Sequence, residues 1–257
     1  TTQLDVSWNA SSNAAGTVYE LYNVTTAASV GTTTATTYNV TGLTANTAYQ
    51  FKVRAENAGA SGTYSSYSGN STAVYTLASA VTGLSATDAT NTTTLQIILS
   101  WTDAGQTGMV IDRDNGCDTS YDVTLFTSST ANETSPTTTV DSISANTCYE
   151  YRIRSYNAAG VVNSVSVASD QITTPPGQTQ NVTASSTAET SITWAWDAVT
   201  GAAGYYIYNN STGGLIDTVV AATEYLHNGL TANTAYQVVV RAYHAVTGSG
   251  IASSLAG

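Results

Sequence analysis

The chain has 257 residues, only 9% of them charged, with Lys+Arg 6 against Asp+Glu 17 and a formal net charge of -11. That balance excludes nucleic acid and anionic lipid as natural partners, since both are bound chiefly through Lys and Arg. Hydrophobic residues make up 42%, enough for packed cores, and no run approaches the roughly 20 apolar residues that cross a bilayer, so membrane insertion is not expected.

In chain order, Leu4, Val6 and Trp8 alternate as the inward face of a strand that ends in a large aromatic. A second strand follows at Val18-Tyr19-Glu20-Leu21-Tyr22, and then LTANTAYQFKVRA from Leu43 to Ala55. In that segment Tyr49, Phe51 and Val53 face one way and Gln50, Lys52 and Arg54 the other. The same order returns with Leu95, Ile97, Leu99 and Trp101, then Met109 to Arg113, then ISANTCYEYRIRS from Ile143 to Ser155. It returns again with Ile192, Trp194 and Trp196, then Tyr205 to Tyr208, then LTANTAYQVVVRA from Leu230 to Ala242. Tyr49, Tyr149 and Tyr236 are 100 and 87 positions apart, the size of a small sandwich domain rather than of a solenoid repeat. No window sustains a 3.6-residue period with caps, so the chain reads as all-β.

A Trp-ended strand, a second strand, then L-x-x-N-T-x-Y opening a third resembles the fibronectin type III domain, in the form common in secreted bacterial proteins. WTDAGQTGMVIDRDNG (Trp101 to Gly116) and YEYRIRSYNAAG (Tyr149 to Gly160) carry the likeness most closely. The resemblance implies three tandem fibronectin type III, immunoglobulin-like β-sandwiches, at 1–78, 79–175 and 176–257. It implies core positions for Trp8, Trp101 and Trp196. It also implies a tyrosine corner at Tyr49, Tyr149 and Tyr236, each hydroxyl bonding back to the loop before it. A half-buried tyrosine needs such a partner, and the Ala-Asn-Thr turn just upstream supplies backbone groups. The first linker, Leu77-Ala78-Ser79, is short and apolar, so the first two domains should be closely apposed. Two prolines stiffen the second, Thr173 to Gly177. Only seven residues precede Trp8, leaving no room for a first edge strand. Either the chain is a piece of a longer protein, or another segment pairs with the open edge.

In this fold the strands carrying Cys117 and Cys148 are neighbours, so the two thiols fall at one end of the second domain and a disulfide is expected. It would close a loop of about 30 residues, contribute roughly 3 kcal/mol, and imply an extracytoplasmic setting. Two unpaired thiols and a link between subunits are the alternatives. The adjoining DRDNGCD, with Asp112, Asp114, Asp118 and Asp122 nearby, is similar to a calcium loop but departs from EF-hand spacing at Gly116. A polar turn, with Asn115-Gly116 as a type I′ pair, is the simpler reading. His227 and His244 match no catalytic or metal spacing, and neither a metal nor another cofactor is expected. Arg54, Arg154 and Arg241 occupy equivalent places and should pair with acids or stack on rings across strands. Tyr64, Tyr67, Tyr75, Tyr206 and Tyr208 are candidates for sugar stacking, or ordinary strand tyrosines. Sequons at Asn9, Asn23, Asn39, Asn70, Asn91, Asn132, Asn181, Asn209 and Asn210 permit glycosylation.

No nucleophile–base pair, paired carboxylates or phosphate loop can be assembled, so no catalytic residue is assigned. The expectation is a non-enzymatic extracellular structural or adhesive protein, a subunit or segment of a cell-surface filament or surface layer, partnered by itself or by other surface proteins. The alternative is a fibronectin type III spacer, or carbohydrate-binding accessory segment, of a secreted polysaccharide-degrading enzyme. A further reading is protein recognition through the Gly- and Ser-rich loop Asn57 to Gly69.

Overall fold

Alternating side chains sort each strand into an inner and an outer face, and the inner faces of paired sheets close over separate cores. The computed structural model describes residues 2–89, 95–128, 137–140, 143–244 and 251–252. The first sandwich comprises β1 (Leu4–Ser7), β2 (Tyr19–Asn23), β3 (Ala28–Thr33), β4 (Thr37–Val40), β5 (Ala48–Tyr49), β6 (Phe51–Ala55) and β7 (Val74–Tyr75). One sheet is β1–β4 and the other β3–β2–β6, with β5 paired to β7. Leu21, Val40, Leu43, Tyr49 and Phe51 are buried between them.

The second sandwich comprises β8 (Thr82–Asp88), β9 (Ile97–Thr102), β10 (Gly108–Asn115), β11 (Val123–Ser128), β12 (Thr137–Val140), β13 (Cys148–Tyr156), β14 (Val167–Ala168) and β15 (Ile172–Thr173). Its sheets are β12–β9–β8 and β11–β10–β13–β14, with β15 also on β13. Ile97, Leu99, Trp101, Ile111, Tyr151 and Ile153 fill the core. The third comprises β16 (Thr183–Thr187), β17 (Ser191–Ala195), β18 (Gly204–Asn209), β19 (Leu215–Val220), β20 (Glu224–Asn228), β21 (Val238–His244) and β22 (Ile251–Ala252). Its sheets are β16–β17–β20 and β19–β18–β21–β22, over Trp194, Trp196, Ile207 and Val240.

Two of the three repeated tryptophans are deep in their cores: Trp101 is 7% and Trp196 5% exposed. Trp8 is not; it is half-buried at the edge of its cluster. The cause lies in the sheet. Among the described residues β1 pairs only with β4, where the equivalent sheets of the other sandwiches have a third strand, β8 or β16.

Each repeated tyrosine closes its loop in the same way. The Thr44 N–H donates to the Tyr49 hydroxyl at 2.9 Å, Ser144 N–H to Tyr149 at 2.8 Å, and Thr231 N–H to Tyr236 at 2.9 Å. Cys117 and Cys148 form a disulfide with Cα atoms 5.7 Å apart. The turn before it is not the two-residue hairpin that Asn115-Gly116 suggests. Asn115 ends β10, β11 starts only at Val123, and Cys117 itself takes a left-handed φ of 57°. Carboxylates organise this longer loop: Asp114 Oδ2 accepts from Thr119 N–H at 2.6 Å and Asp118 Oδ1 from Ser120 N–H at 2.9 Å.

The segment Asn57 to Gly69 also departs from a free loop. Ser65, Ser68 and Ser71 donate their N–H groups to Ala55, Val53 and Phe51 carbonyls at 2.8 Å. Their hydroxyls accept the N–H groups of the same three residues at 3.0–3.1 Å. Three residues advance against two of β6, so one serine supplies both donor and acceptor in place of a regular ladder. The same spacing places Tyr64 and Tyr67 beside the cations of β6.

Candidate functional site

The sheet that contains β2 and β6, and its counterparts in the other sandwiches, carries all six of the chain's Lys and Arg residues. Strand register sets their partners. Glu20 lies opposite Arg54 and Tyr22 opposite Lys52, and Arg54 forms an ion pair with Glu20. Lys52 Nζ stands 4.7 Å from the Tyr22 ring centre and 4.4 Å from that of Tyr67, while Arg54 stands 4.2 Å from Tyr64 and 4.6 Å from Tyr67. The result is an alternating row of rings and cations across the first sandwich.

In the second sandwich Asp112 is buried and takes both Arg152 Nε and an Arg154 terminal nitrogen on one carboxylate oxygen, each at 2.8 Å. Arg152 also covers Tyr121 at 4.4 Å, and the Tyr121 hydroxyl donates to Glu150 at 2.6 Å. Burial, with that carboxylate beside it, pushes the Tyr121 phenol up to about 12. In the third sandwich Arg241 stands 4.7 Å from Tyr208, and Tyr206 stacks on Tyr243 with centroids 4.6 Å apart. Of the five tyrosines that are candidates for sugar stacking, Tyr64, Tyr67, Tyr206 and Tyr208 each have a cation or another ring against them, and all five, Tyr75 included, are half-buried.

Burial pushes the Asp112 carboxyl up, but hydrogen bonds from Arg152 and Thr124 and the Arg154 charge outweigh it and hold the carboxyl below its ordinary value. Its stabilisation is therefore complete above the unfolded value of about 4 and is lost as pH falls through the lower folded value. Asp112→Asn should cost the second sandwich roughly 2 kcal/mol at neutral pH, reduced from the fully buried case because both arginines are partly exposed. It should also flatten the acid limb of that sandwich's melting temperature, as read by calorimetry between pH 2 and 7.

The second repeated feature is the asparagine before each tyrosine. Asn46 adopts a left-handed φ of 51° and donates its N–H to Leu77 O at 3.1 Å. Its side chain crosses to the second sandwich. Nδ2 donates to Gly105 O at 3.2 Å and to Thr107 Oγ1 at 3.1 Å, and Oδ1 accepts from Ala158 N–H at 2.8 Å. Two buried asparagines of the second sandwich reach back: Asn157 Nδ2 donates to Thr76 O at 3.0 Å and Asn163 Nδ2 to Ala78 O at 2.9 Å. At the next junction Asn146 (φ 49°) donates its N–H to Pro175 O at 2.8 Å, and Gly201 lies so close that a Cβ there would come within 2.0 Å of the Asn146 amide. Each junction thus joins the loop at one end of a sandwich to loops at the opposite end of the next.

Among the described residues no group of three or more His, Cys, Asp or Glu is placed to hold a metal ion. No described helix is long and apolar enough to cross a membrane. Of the sequon asparagines, Asn9, Asn39, Asn70, Asn181 and Asn210 are exposed and Asn209 is half-buried. Asn91 and Asn132 lie outside the described residues. Asn23 is 4% exposed, and its Oδ1 accepts the Thr25 and Thr26 N–H groups.

Comparison with known proteins follows the repeat. A model of the fibronectin type III domain matches residues 1–69 and 174–255. Exoglucanase B of Cellulomonas fimi is 33% identical over 260 residues, covering 94% of this chain and 23% of that protein. Endoglucanase B of Cellulomonas fimi is 34% identical over 271 residues, covering 92% and 24%. Chitinase A1 of Niallia circulans is 35% identical over 183 residues, covering 67% and 24%. The chain therefore spans about a quarter of the length of the curated relatives it matches. This overturns the expected filament or surface-layer subunit partnered by itself or by other surface proteins: the relatives aligned along nearly the whole chain carry enzyme names. Low charge and a disulfide report on solvent and redox setting, and those conditions are the same for an adhesin and for a segment of an enzyme.

Proposed function

Because the chain belongs to the fibronectin type III family, we propose that it is the spacer segment of a secreted polysaccharide-degrading enzyme, working outside the cell. One observation carries this reading: a segment that accounts for 94% of this chain accounts for only 23% of an exoglucanase, leaving the larger part of that protein for other work. Similar segments occur in two glucanases and a chitinase, so the segment is neutral to the polymer degraded. The three sandwiches, with boundaries at 1–78, 79–175 and 176–257, act as struts, and the asparagine junctions hold their spacing. Catalysis and tight sugar binding belong to other parts of the polypeptide, and the chain's association with carbohydrate is through them. The exposed sequons leave glycans room on the strut surface.

The test uses the whole enzyme. Replacing residues 1–257 with a flexible Gly–Ser linker should leave kcat/KM on a soluble oligosaccharide unchanged and slow degradation of the insoluble polymer. Loss of activity on the soluble substrate would instead place these residues in catalysis and refute the spacer reading. The chain alone, mixed with cellulose or chitin particles, should stay in the supernatant.

A further inference from the structure

The junction between the first two sandwiches is built from parts that recur where no neighbour is seated. In the second sandwich the seat for Asn46 is made by Thr107 Oγ1 and Ala158 N–H, and Asn157 binds the incoming linker at Thr76 O. Strand register locates their counterparts in the first sandwich. Tyr19 pairs with Ala55 as Met109 pairs with Ser155. Thr17 therefore stands where Thr107 does, Ala58 where Ala158 does, and Asn57 where Asn157 does.

The local fold of Asn57 and Ala58 is shared too, whereas Thr17 donates both its N–H and its Oγ1 to Ala14 O, at 3.2 and 2.8 Å, where Thr107 N–H donates to Tyr156 O, leaving the Thr17 hydroxyl as an acceptor. Asn57 Oδ1 accepts from Gly59 N–H at 2.9 Å, as Asn157 Oδ1 accepts from Ala159 N–H at 3.1 Å. Asn57 O accepts from Ala60 N–H at 3.1 Å, as Asn157 O accepts from Gly160 N–H at 2.8 Å. Occupancy differs as well. Asn157 is 1% exposed, whereas Asn57 is exposed, and among the described residues neither its Nδ2 nor the Ala58 N–H has a hydrogen-bond partner. Thr17, Asn57 and Ala58 line an open cavity of about 290 Å³.

We infer that this cavity is a docking seat for the Asn-Thr loop of another fibronectin type III domain placed before the first sandwich in the same polypeptide. The occupant's chemistry is set by what fills the equivalent seat: an asparagine in the left-handed conformation, offering one amide donor and one amide acceptor, followed by its own linker carbonyls. A suitable loop exists on the third sandwich. Leu-Thr-Ala-Asn-Thr-Ala-Tyr-Gln at 230–237 is identical to residues 43–50, Asn233 has φ 56° against 51° for Asn46, and Asn233 is exposed. The third sandwich lacks the seat itself, since Ala203 stands where Thr17 and Thr107 do and Gly201 packs on Asn146 instead. The inference concerns this surface alone and stands whether or not the segment is a spacer.

Two complete copies of the chain, joined head to tail by a flexible Gly–Ser linker, present the Asn233 loop to the seat at the millimolar effective concentrations that tethering gives. With only the trailing copy isotope-labelled, the Ala58 amide and Asn57 side-chain NH2 signals should shift from their positions in the single chain. They should return when the leading copy carries Asn233→Gly, which removes the amide and keeps the left-handed backbone. As a control within the single chain, Asn46→Ala should move the Ala158 amide and Asn157 NH2 signals. Seat signals that coincide in tandem and single chain, or that shift equally with Asn233→Gly, would overturn the assignment.

Discussion

Reduction of the Cys117–Cys148 disulfide should lower the melting temperature of the second sandwich by roughly 15–30 °C and leave the other two transitions in place. The two cysteines are 31 positions apart, and releasing a loop of that length returns roughly 3–4 kcal/mol of chain entropy to the unfolded state. For a domain of about 100 residues each kcal/mol moves the midpoint by about 4–8 °C. The bridge ties the loop after β10 to the first residue of β13, and Gly116 N–H already donates to Cys148 O at 2.8 Å. The native contacts there survive reduction, so the loss should appear as destabilisation rather than rearrangement. Differential scanning calorimetry with and without reductant, and on Cys117→Ser/Cys148→Ser, should give the same displaced transition. A transition that does not move would mean that the bridge constrains little in the unfolded chain.

Trp196→Ala and Trp101→Ala should each cost about 3–5 kcal/mol, the range for deleting a large buried aromatic. Trp8→Ala should cost clearly less. Trp196 packs edge-on against Tyr205 with centroids 5.3 Å apart, and Trp8 makes a similar contact with Tyr19 at 5.7 Å. The aromatic contact is therefore alike in the two; burial is not, because among the described residues β1 has no third strand beside it, as its counterparts have. Because each sandwich has its own core, stability should be read per transition rather than for the chain as one unit. Equal losses at Trp8 and Trp196 would show that the first core is covered as completely as the third.

These contrasts bear on what was legible in the sequence. The repeat L-x-x-N-T-x-Y and the inward alternation at Ile97, Leu99 and Trp101 announce sandwiches, because period and aromatic anchors are local properties of the chain. The neighbourhood of Cys117 and Cys148 follows once the strands are placed. The attachment of Ser65, Ser68 and Ser71 to β6 is not legible, because serines every three residues do not follow the two-residue period of a strand. The sequon at Asn23 looks like any other; its burial comes from capping the turn at Thr25 and Thr26, which no tripeptide encodes. The functional role of Asn46 was hidden behind Tyr49. The turn before the tyrosine takes a left-handed φ of 49–56° at Asn46, Asn146 and Asn233, which favours asparagine by itself, so the repeated residue reads as a turn former and its reach across the junction is not legible.

The function itself was the least legible part. Composition speaks of excluded partners, and Arg54, Arg154 and Arg241 are expected from their equivalent places to pair or stack within the fold, but the same surface suits a filament and a strut. The enzyme names and the length of the relatives weigh against the filament.

The most direct test is the rotational correlation time of each sandwich in the intact chain, measured by 15N relaxation. A strut with asparagine-held junctions requires the first and second sandwiches to tumble together with one long correlation time. Separate, short correlation times, each that of an isolated domain, would contradict it and leave a string of independent beads.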